Sequence, residues 1–286
     1  MPNLSVSISI EDSNSETFEQ FLRIYSEFGF RGLQAFWRNP VQVDADKLRD
    51  KAGRFGLSFD AVHGSFGSDL DPSSPDEEVR CRTIATCEED GEIAAALGGS
   101  VVIVHPSCKI PANAGLDVAK RDDWGAEVDS ERKPILMRSM EELAGIGEEM
   151  EIVFAIENLP SKLWFGNHAM ELSRMIREID SPFVRMCFDT GHAHVEAARV
   201  GCSTSEQFGR CLDVVGYVHV NDNDRARDSH EAPGDGTIDW AAFTELLGDS
   251  ASGLVCMLEM FRSAEEMKAI LNRTEVADIL RKLAAE

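Results

Sequence analysis

Eight short apolar runs, each followed by a longer helix-like segment, recur along the whole chain. They are LSVSISI (4–10), RGLQAFW (31–37), SFDAVHG (58–64), VVIVHP (101–106), IVFAIEN (152–158), VRMCFDTGH (184–192), VGYVHVND (215–222) and LVCMLEM (254–260). Strands that read as nearly continuous apolar runs belong in a parallel sheet covered on both faces. Eight such β-α units fit a closed (β/α)₈ barrel, an α/β fold, better than an open doubly wound sheet. The 286 residues suit one barrel of about 250 residues, so positions 1–286 are expected to form a single domain. The helical segments include one opening at Ser74-Pro75-Asp76 and stopping at Gly98, where cap residues sit at both ends. One helix is expected near SEQFGRCLD after the sixth strand, and one final helix ends in RKLAAE. The stretch Ser107–Asp129 is long for a loop between a strand and a helix and reads as a lid over the barrel mouth.

The runs end on unusual residues. His63, His105, Glu157, Asp189 with His192, His219 and Glu259 stand at or just past their C-terminal ends, and the Gly-rich loop DSHEAPGDG adds Asp228 and His230. Burying such groups without partners is costly, and metal coordination accounts for all of them at once. In a barrel of this kind the active site lies at the C-terminal ends of the strands. Glu157, Asp189, His219 and Glu259, on strands five to eight, converge as an oxygen-rich divalent-cation site suited to Mn²⁺, Mg²⁺ or Co²⁺ at least as well as Zn²⁺. His63, His105, His192, Asp228 and His230 are, one by one, ordinary buried histidines or a turn acid. Together with the first four they make five imidazoles and four carboxylates, enough for three metals that each keep an open position. One to three divalent ions per chain are therefore expected.

Composition excludes some functions. A formal charge of −23, from 51 acids against 28 bases, opposes a broad grip on nucleic acid or an anionic membrane. No apolar stretch reaches the ~20 residues of a membrane span. Seven cysteines without a C-x-x-C pair, several inside apolar runs, point to reduced thiols and a cytoplasmic setting. The N-terminus MPNLSVSISIEDS lacks the pattern of a signal peptide.

The motifs VIVHP, AIENLP, CFDTGHAH, VHVNDND and DSHEAPGDGTIDW, followed by LEM, resemble the xylose isomerase-like TIM-barrel superfamily along essentially the whole chain. That superfamily holds sugar and sugar phosphate isomerases and epimerases together with endonuclease IV-type DNA-repair enzymes. In the epimerases it resembles, positions matching Glu157, Asp189, His219 and Glu259 hold one Mn²⁺ or similar ion. The two glutamates there move a proton on opposite faces of a ketose, through an enediolate. In endonuclease IV-like enzymes, positions matching all nine residues hold three zinc ions. The resemblance thus implies a metal-dependent isomerase or epimerase with Glu157 and Glu259 as the catalytic pair. The alternatives are a trinuclear-zinc phosphodiesterase acting on abasic DNA and a polyol dehydratase on the same scaffold. The charge and the acidic segment GSFGSDLDPSSPDEE after His63 weigh against the nuclease.

The expected partner is a small sugar or polyol rather than nucleic acid or membrane, and a homo-oligomer is open. Trp37 is a candidate sugar-stacking wall, Lys162 and Trp164 are candidate sugar contacts, and Arg225, Arg227 and Arg262 are candidates for a substrate phosphate or carboxylate. His168 and His194 read as helix-start residues and not as ligands.

Overall fold

The apolar runs form eight strands, β1 (Leu4–Ser9), β2 (Gly32–Phe36), β3 (Ser58–His63), β4 (Val101–Val104), β5 (Val153–Glu157), β6 (Val184–Asp189), β7 (Val215–Val220) and β8 (Val255–Leu258). They pair in parallel in sequence order, and β8 returns to pair with β1, so the sheet closes into a barrel. The structure is a computed structural model and describes residues 3–38, 43–108, 125–160, 165–166, 168–250 and 253–284. The helices among them are α1 (Glu16–Glu27), α2 (Ala45–Gly53), α3 (Glu77–Leu97), α4 (Gly125–Met150), α5 (Ala169–Ile179), α6 (Thr190–Val200), α7 (Thr204–Cys211), α8 (Trp240–Ser250), α9 (Ala264–Leu271) and α10 (Thr274–Leu283). The fold is the (β/α)₈ barrel expected from the eight repeated units.

Two apolar layers hold it together. Outward-facing strand residues such as Val6, Leu33, Val62, Phe154 and Phe188 pack against the helices in one continuous core. Inward-facing Ala61, Ile103, Ala155, Cys187, Tyr217 and Met257 fill the barrel itself, each 0% exposed. Strand side chains alternate faces, so the residue two further on points inward again. Two beyond these six stand His63, His105, Glu157, Asp189, His219 and Glu259. A ring of ionisable groups is thereby stacked on the apolar layer at the C-terminal mouth.

Several boundaries differ from the sequence expectation. β4 ends at Val104 and β8 at Leu258, so His105 and Glu259 follow their strands instead of closing them. After β6 there are two helices where one was expected. Asp189 caps α6 directly, its side chain accepting from the His192 backbone N–H, and Ser203 opens α7 with a capping box completed by Glu206. The C-terminal helix is likewise two, with Asn272 and Arg273 between α9 and α10. The helix read from Ser74-Pro75-Asp76 to Gly98 is α3, with Asp76 accepting from the Glu78 N–H and Gly98 in the left-handed conformation at φ 87°. The expected lid at Ser107–Asp129 falls mostly outside the described residues, and positions 125–129 belong to α4.

At the opposite end of the barrel, Asp60 of β3 lies half-buried over Gly32 and accepts a 2.8 Å hydrogen bond from the Tyr217 hydroxyl. Burial pushes its carboxyl from 3.8 to about 6, against the hydrogen bonds from Tyr217 and Ser5. A carboxyl raised in the folded state contributes stability below its unfolded value and loses it as pH rises through about 6. Asp60→Asn keeps an acceptor for Tyr217 and removes the charge. The variant is expected to be more stable than the parent at pH 7.5 by about 1–2 kcal/mol, with the gain vanishing near pH 4. Urea unfolding at the two pH values checks this, and an equal difference at both would contradict it.

Candidate metal centre

The ring at the mouth resolves into three groups whose ligand atoms lie within 4.8 Å of one another: His63 with His105 and Glu157, then Glu157 with Asp189, His219 and Glu259, then His192 with Asp228 and His230. Glu157 bridges the first two. Its Oε2 faces His105 Nε2 at 3.2 Å and His63 Nε2 at 3.8 Å, while its Oε1 faces His219 Nδ1 at 2.9 Å. Glu259 Oε2 joins the other two groups, 3.3 Å from His219 Nδ1 and 3.6 Å from His230 Nδ1. Asp228 Oδ2 lies between His192 Nε2 at 3.4 Å and His230 Nε2 at 3.3 Å. All nine residues read from the strand ends and the Gly-rich loop are brought together.

The chain fixes how these rings point. His63 Nδ1 donates to the Gly64 carbonyl at 3.0 Å and His192 Nδ1 to the Asn158 carbonyl at 2.7 Å, which leaves each Nε2 turned into the site. The outward nitrogen of His219, Nε2, meets the buried Gln34 amide at 2.9 Å. Gln34 Nε2 meets this nitrogen, and Nδ1 is left turned to three carboxylates, with Glu157 Oε1 at 2.9 Å. Asp189 Oδ1 accepts the His192 N–H at 2.6 Å and Oδ2 accepts from Asn221 Nδ2 at 2.9 Å. The three-residue spacing in DTGH is therefore a helix cap that sets acid and imidazole side by side. Gly191 is required there, because a Cβ would fall 1.8 Å from Asn221 Oδ1.

Electrostatics inside the ring favour a cation. Burial raises Glu157, but His219, His105 and His63 outweigh it and hold the carboxyl well below the usual range. Glu259 is buried too, and His219 and His230 bring it down to about 2. Asp189 is pushed up to about 7, first by burial and then by the charges of Glu259 and Glu157. Burial lowers His230, yet Glu259 and Asp228 lift it to about 9. The carboxylates thus draw protons onto their neighbours, a charge that divalent ions would replace. Glu157 Oε2, Glu259 Oε2 and His230 Nδ1 are buried with no hydrogen-bond partner. Such atoms cost about 1–3 kcal/mol each when unmatched, and all three face the ligand groups. The donor set fits bound metal. Cys187 also reaches Glu157 and His219, but burial pushes its thiol up to about 12, so it stays neutral. Gln34→Leu is expected to weaken metal binding about 10–100-fold with the barrel intact, read by competition with a chelator; unchanged affinity would show that Gln34 does not orient His219.

The loop carrying Asp228 and His230 is pinned by a residue the sequence reading passed over. Asp222, past the end of β7, accepts from the Gly234 and Ile238 N–H groups and from Trp240 Nε1 at 2.8 Å. Its backbone pairs with Glu231 in both directions. This support holds His230 at φ 44°, a strained position that persists only when overdetermined.

The expected substrate contacts fall less uniformly. Trp37 turns from the mouth and packs against the outer core. Its neighbours Phe36 and Arg38 line the cavity with the candidate ligands instead. Arg262 is engaged with Glu231 Oε2 at 2.9 Å and the His230 carbonyl at 3.2 Å, steadying the ligand loop. Arg225 and Arg227 are exposed on that loop, with Arg225 Nε 3.4 Å from His194 Nε2. Lys162 and Trp164 lie outside the described residues. His168 caps α5, accepting from the Met170 N–H, and His194 is held between Thr204 and Thr237. Neither falls in the three groups above. Two exposed rings without a sequence signal, Phe66 and Phe261, also line this cavity. Phe66 lies 4.8 Å from His105 and Phe261 5.2 Å from His230, centroid to centroid.

A family description, xylose isomerase-like TIM barrel, matches residues 22–283. The chain belongs to that family. An uncharacterised protein of Methanocaldococcus jannaschii is 29% identical over 232 residues, 79% of this chain and 72% of the relative. A probable endonuclease 4 of Nitratidesulfovibrio vulgaris is 25% identical over 252 residues, 80% of this chain and 82% of the relative. Among solved structures, a D-tagatose 3-epimerase-like protein superposes with a TM-score of 0.74 at 23% identity, covering 99% of this chain and 100% of the other. That likeness concerns the fold. Among the described residues no helix is long and apolar enough to cross a membrane.

Proposed function

We propose that this protein is a metal-dependent isomerase or epimerase of a small sugar or polyol. The observation that carries the reading is the buried quartet Glu157, Asp189, His219 and Glu259, of which Glu157 and Glu259 line a cavity of about 210 Å³. Its walls include Phe36, Phe66, Leu159, Pro160 and Phe261, and aromatic and apolar walls with a few convergent polar groups suit a small organic ligand. A divalent ion on the quartet would act as a Lewis acid toward substrate oxygens.

The chain supplies the proton chemistry. Glu157 and Glu259 are both held ionised at neutral pH by their histidine neighbours, and each keeps one buried oxygen without a hydrogen bond. One takes the proton from a carbon next to a carbonyl and the other returns a proton, which moves a stereocentre or a carbonyl and needs carboxylates on two sides of the substrate. Phe66 and Phe261 lie beside His105 and His230 and offer apolar faces to a substrate. The fold likeness to a D-tagatose 3-epimerase-like protein is consistent with this reading.

A second reading, hydrolysis of a phosphodiester, is favoured by the convergence of His63 with His105 and of His192 with Asp228 and His230 into two further ligand groups. Against it stands the charge of −23 facing a polyanion. The test is to incubate manganese-loaded protein with a panel of ketoses and, separately, with an abasic-site duplex at low salt. The expected result is a sugar product of unchanged mass and an intact duplex. Loss of water would make the enzyme a dehydratase, and a cut duplex with unchanged sugars would replace this reading with the hydrolase.

A further inference from the structure

Next to the metal-side cavity, between β1, α1 and the end of β8, lies a larger cleft of about 450 Å³. The two share Ser7, Phe36, Arg38 and Phe261. We propose that the sugar acted on carries a second sugar ring, and that this ring occupies the cleft while the first reacts at the metal centre. This rests on the isomerase reading above and names its substrate class as a glycoside or disaccharide.

Size is the first reason. Ligand sites commonly enclose about 300–1,000 Å³. The metal-side cavity of about 210 Å³ falls below that range, and the joined space lies well inside it. The dividing wall is aromatic. Phe36 and Phe261 meet edge to face with centroids 5.4 Å apart, and the Arg38 guanidinium lies 5.5 Å over the Phe261 ring. A chain of two rings can cross such a ridge with its C–H faces against the aromatic faces.

The lining of the cleft gives the second reason. Phe18, Phe21 and Tyr25 of α1 form an apolar side, while Ser9, Glu11, Asp12 and Thr17 bring hydroxyls and carboxylates to the rim. Aromatic faces opposite many hydrogen-bond acceptors suit a polyhydroxylated ring. They do not suit a phosphate, which would meet the Glu11 and Asp12 carboxylates. Of the two arginines in the wall, Arg262 is engaged with Glu231 and the His230 carbonyl and Arg38 lies on Phe261. The second unit is therefore a neutral sugar.

Calorimetric titration of the manganese-loaded protein with D-fructose and with the ketose disaccharides isomaltulose, turanose and lactulose tests this directly. At least one disaccharide is expected to bind about tenfold or more tightly than D-fructose. Thr17→Trp places a large side chain in the cleft from an exposed helix position outside the metal centre. It is expected to erase the disaccharide gain and leave D-fructose binding unchanged. Disaccharides that bind no better than D-fructose, or a Thr17→Trp variant that weakens both alike, would overturn the proposal. Disaccharide binding that depends on the cleft without conversion of any sugar would keep the second-ring site and remove the isomerase reading instead.

Discussion

Replacing Glu259 by Gln is expected to lower turnover of the sugar substrate by about 10²–10⁴-fold, the usual worth of a positioned acid-base group, while the barrel remains folded. Glu259 sits one residue past β8, and its backbone N–H donates to the Val220 carbonyl at 3.0 Å. Its place is thus fixed by main chain and not by its charge. The side chain is 5% exposed, and Gln has nearly the same shape, so packing is kept while the proton acceptor is lost. Chemical unfolding with the same slope as the parent would separate this from a folding defect. A variant that retains parent-like turnover would remove Glu259 from the proton path and with it the two-glutamate mechanism.

Removal of divalent ions is expected to have an equally large effect, on stability as well as activity. Glu157 Oε2, Glu259 Oε2 and His230 Nδ1 are buried without a hydrogen bond, facing one another and the neighbouring imidazoles only at 3.2–3.8 Å, and Asp189 competes with two neighbouring carboxylates for charge. An ion that binds the folded chain alone stabilises it by RT ln(1 + [L]/Kd), about 2.7 kcal/mol at a hundredfold excess over Kd. Chelated protein is expected to melt several degrees lower, to lose turnover, and to recover both on addition of manganese. Melting that does not respond to metal would mean that the clustered residues are held by ion pairs among themselves.

The barrel was legible because its signal is repeated eight times, and the ring of ionisable groups at its mouth was legible because an apolar run has no reason to end on His or Glu. Alternation carried further information that went unread. In β2, Gln34 points inward to His219. Phe36, two on, therefore shares its face, and Trp37 must point outward to the core. The helix α6 was hidden because its cap is itself one of the strand-end acids. Asp189 ends the strand, starts the helix and faces the metal group at once. Gln34, Asn158, Asn221 and Asp222 had no sequence signal of comparable strength. Their partners are brought to them by barrel closure, as with Gln34 and His219 from opposite ends of the chain. The cleft beside the site was equally invisible, since α1, β1 and the end of β8 meet only in three dimensions.

Proton transfer between Glu157, Glu259 and a substrate carbon is tested most directly by running the conversion in deuterium oxide and examining the sugar product by NMR. The account predicts one solvent deuterium on the carbon whose configuration or oxidation level changes, and loss of that label in Glu259→Gln. A product formed at full rate with no carbon-bound deuterium would show that hydrogen moves within the substrate, and would contradict catalysis by the two glutamates.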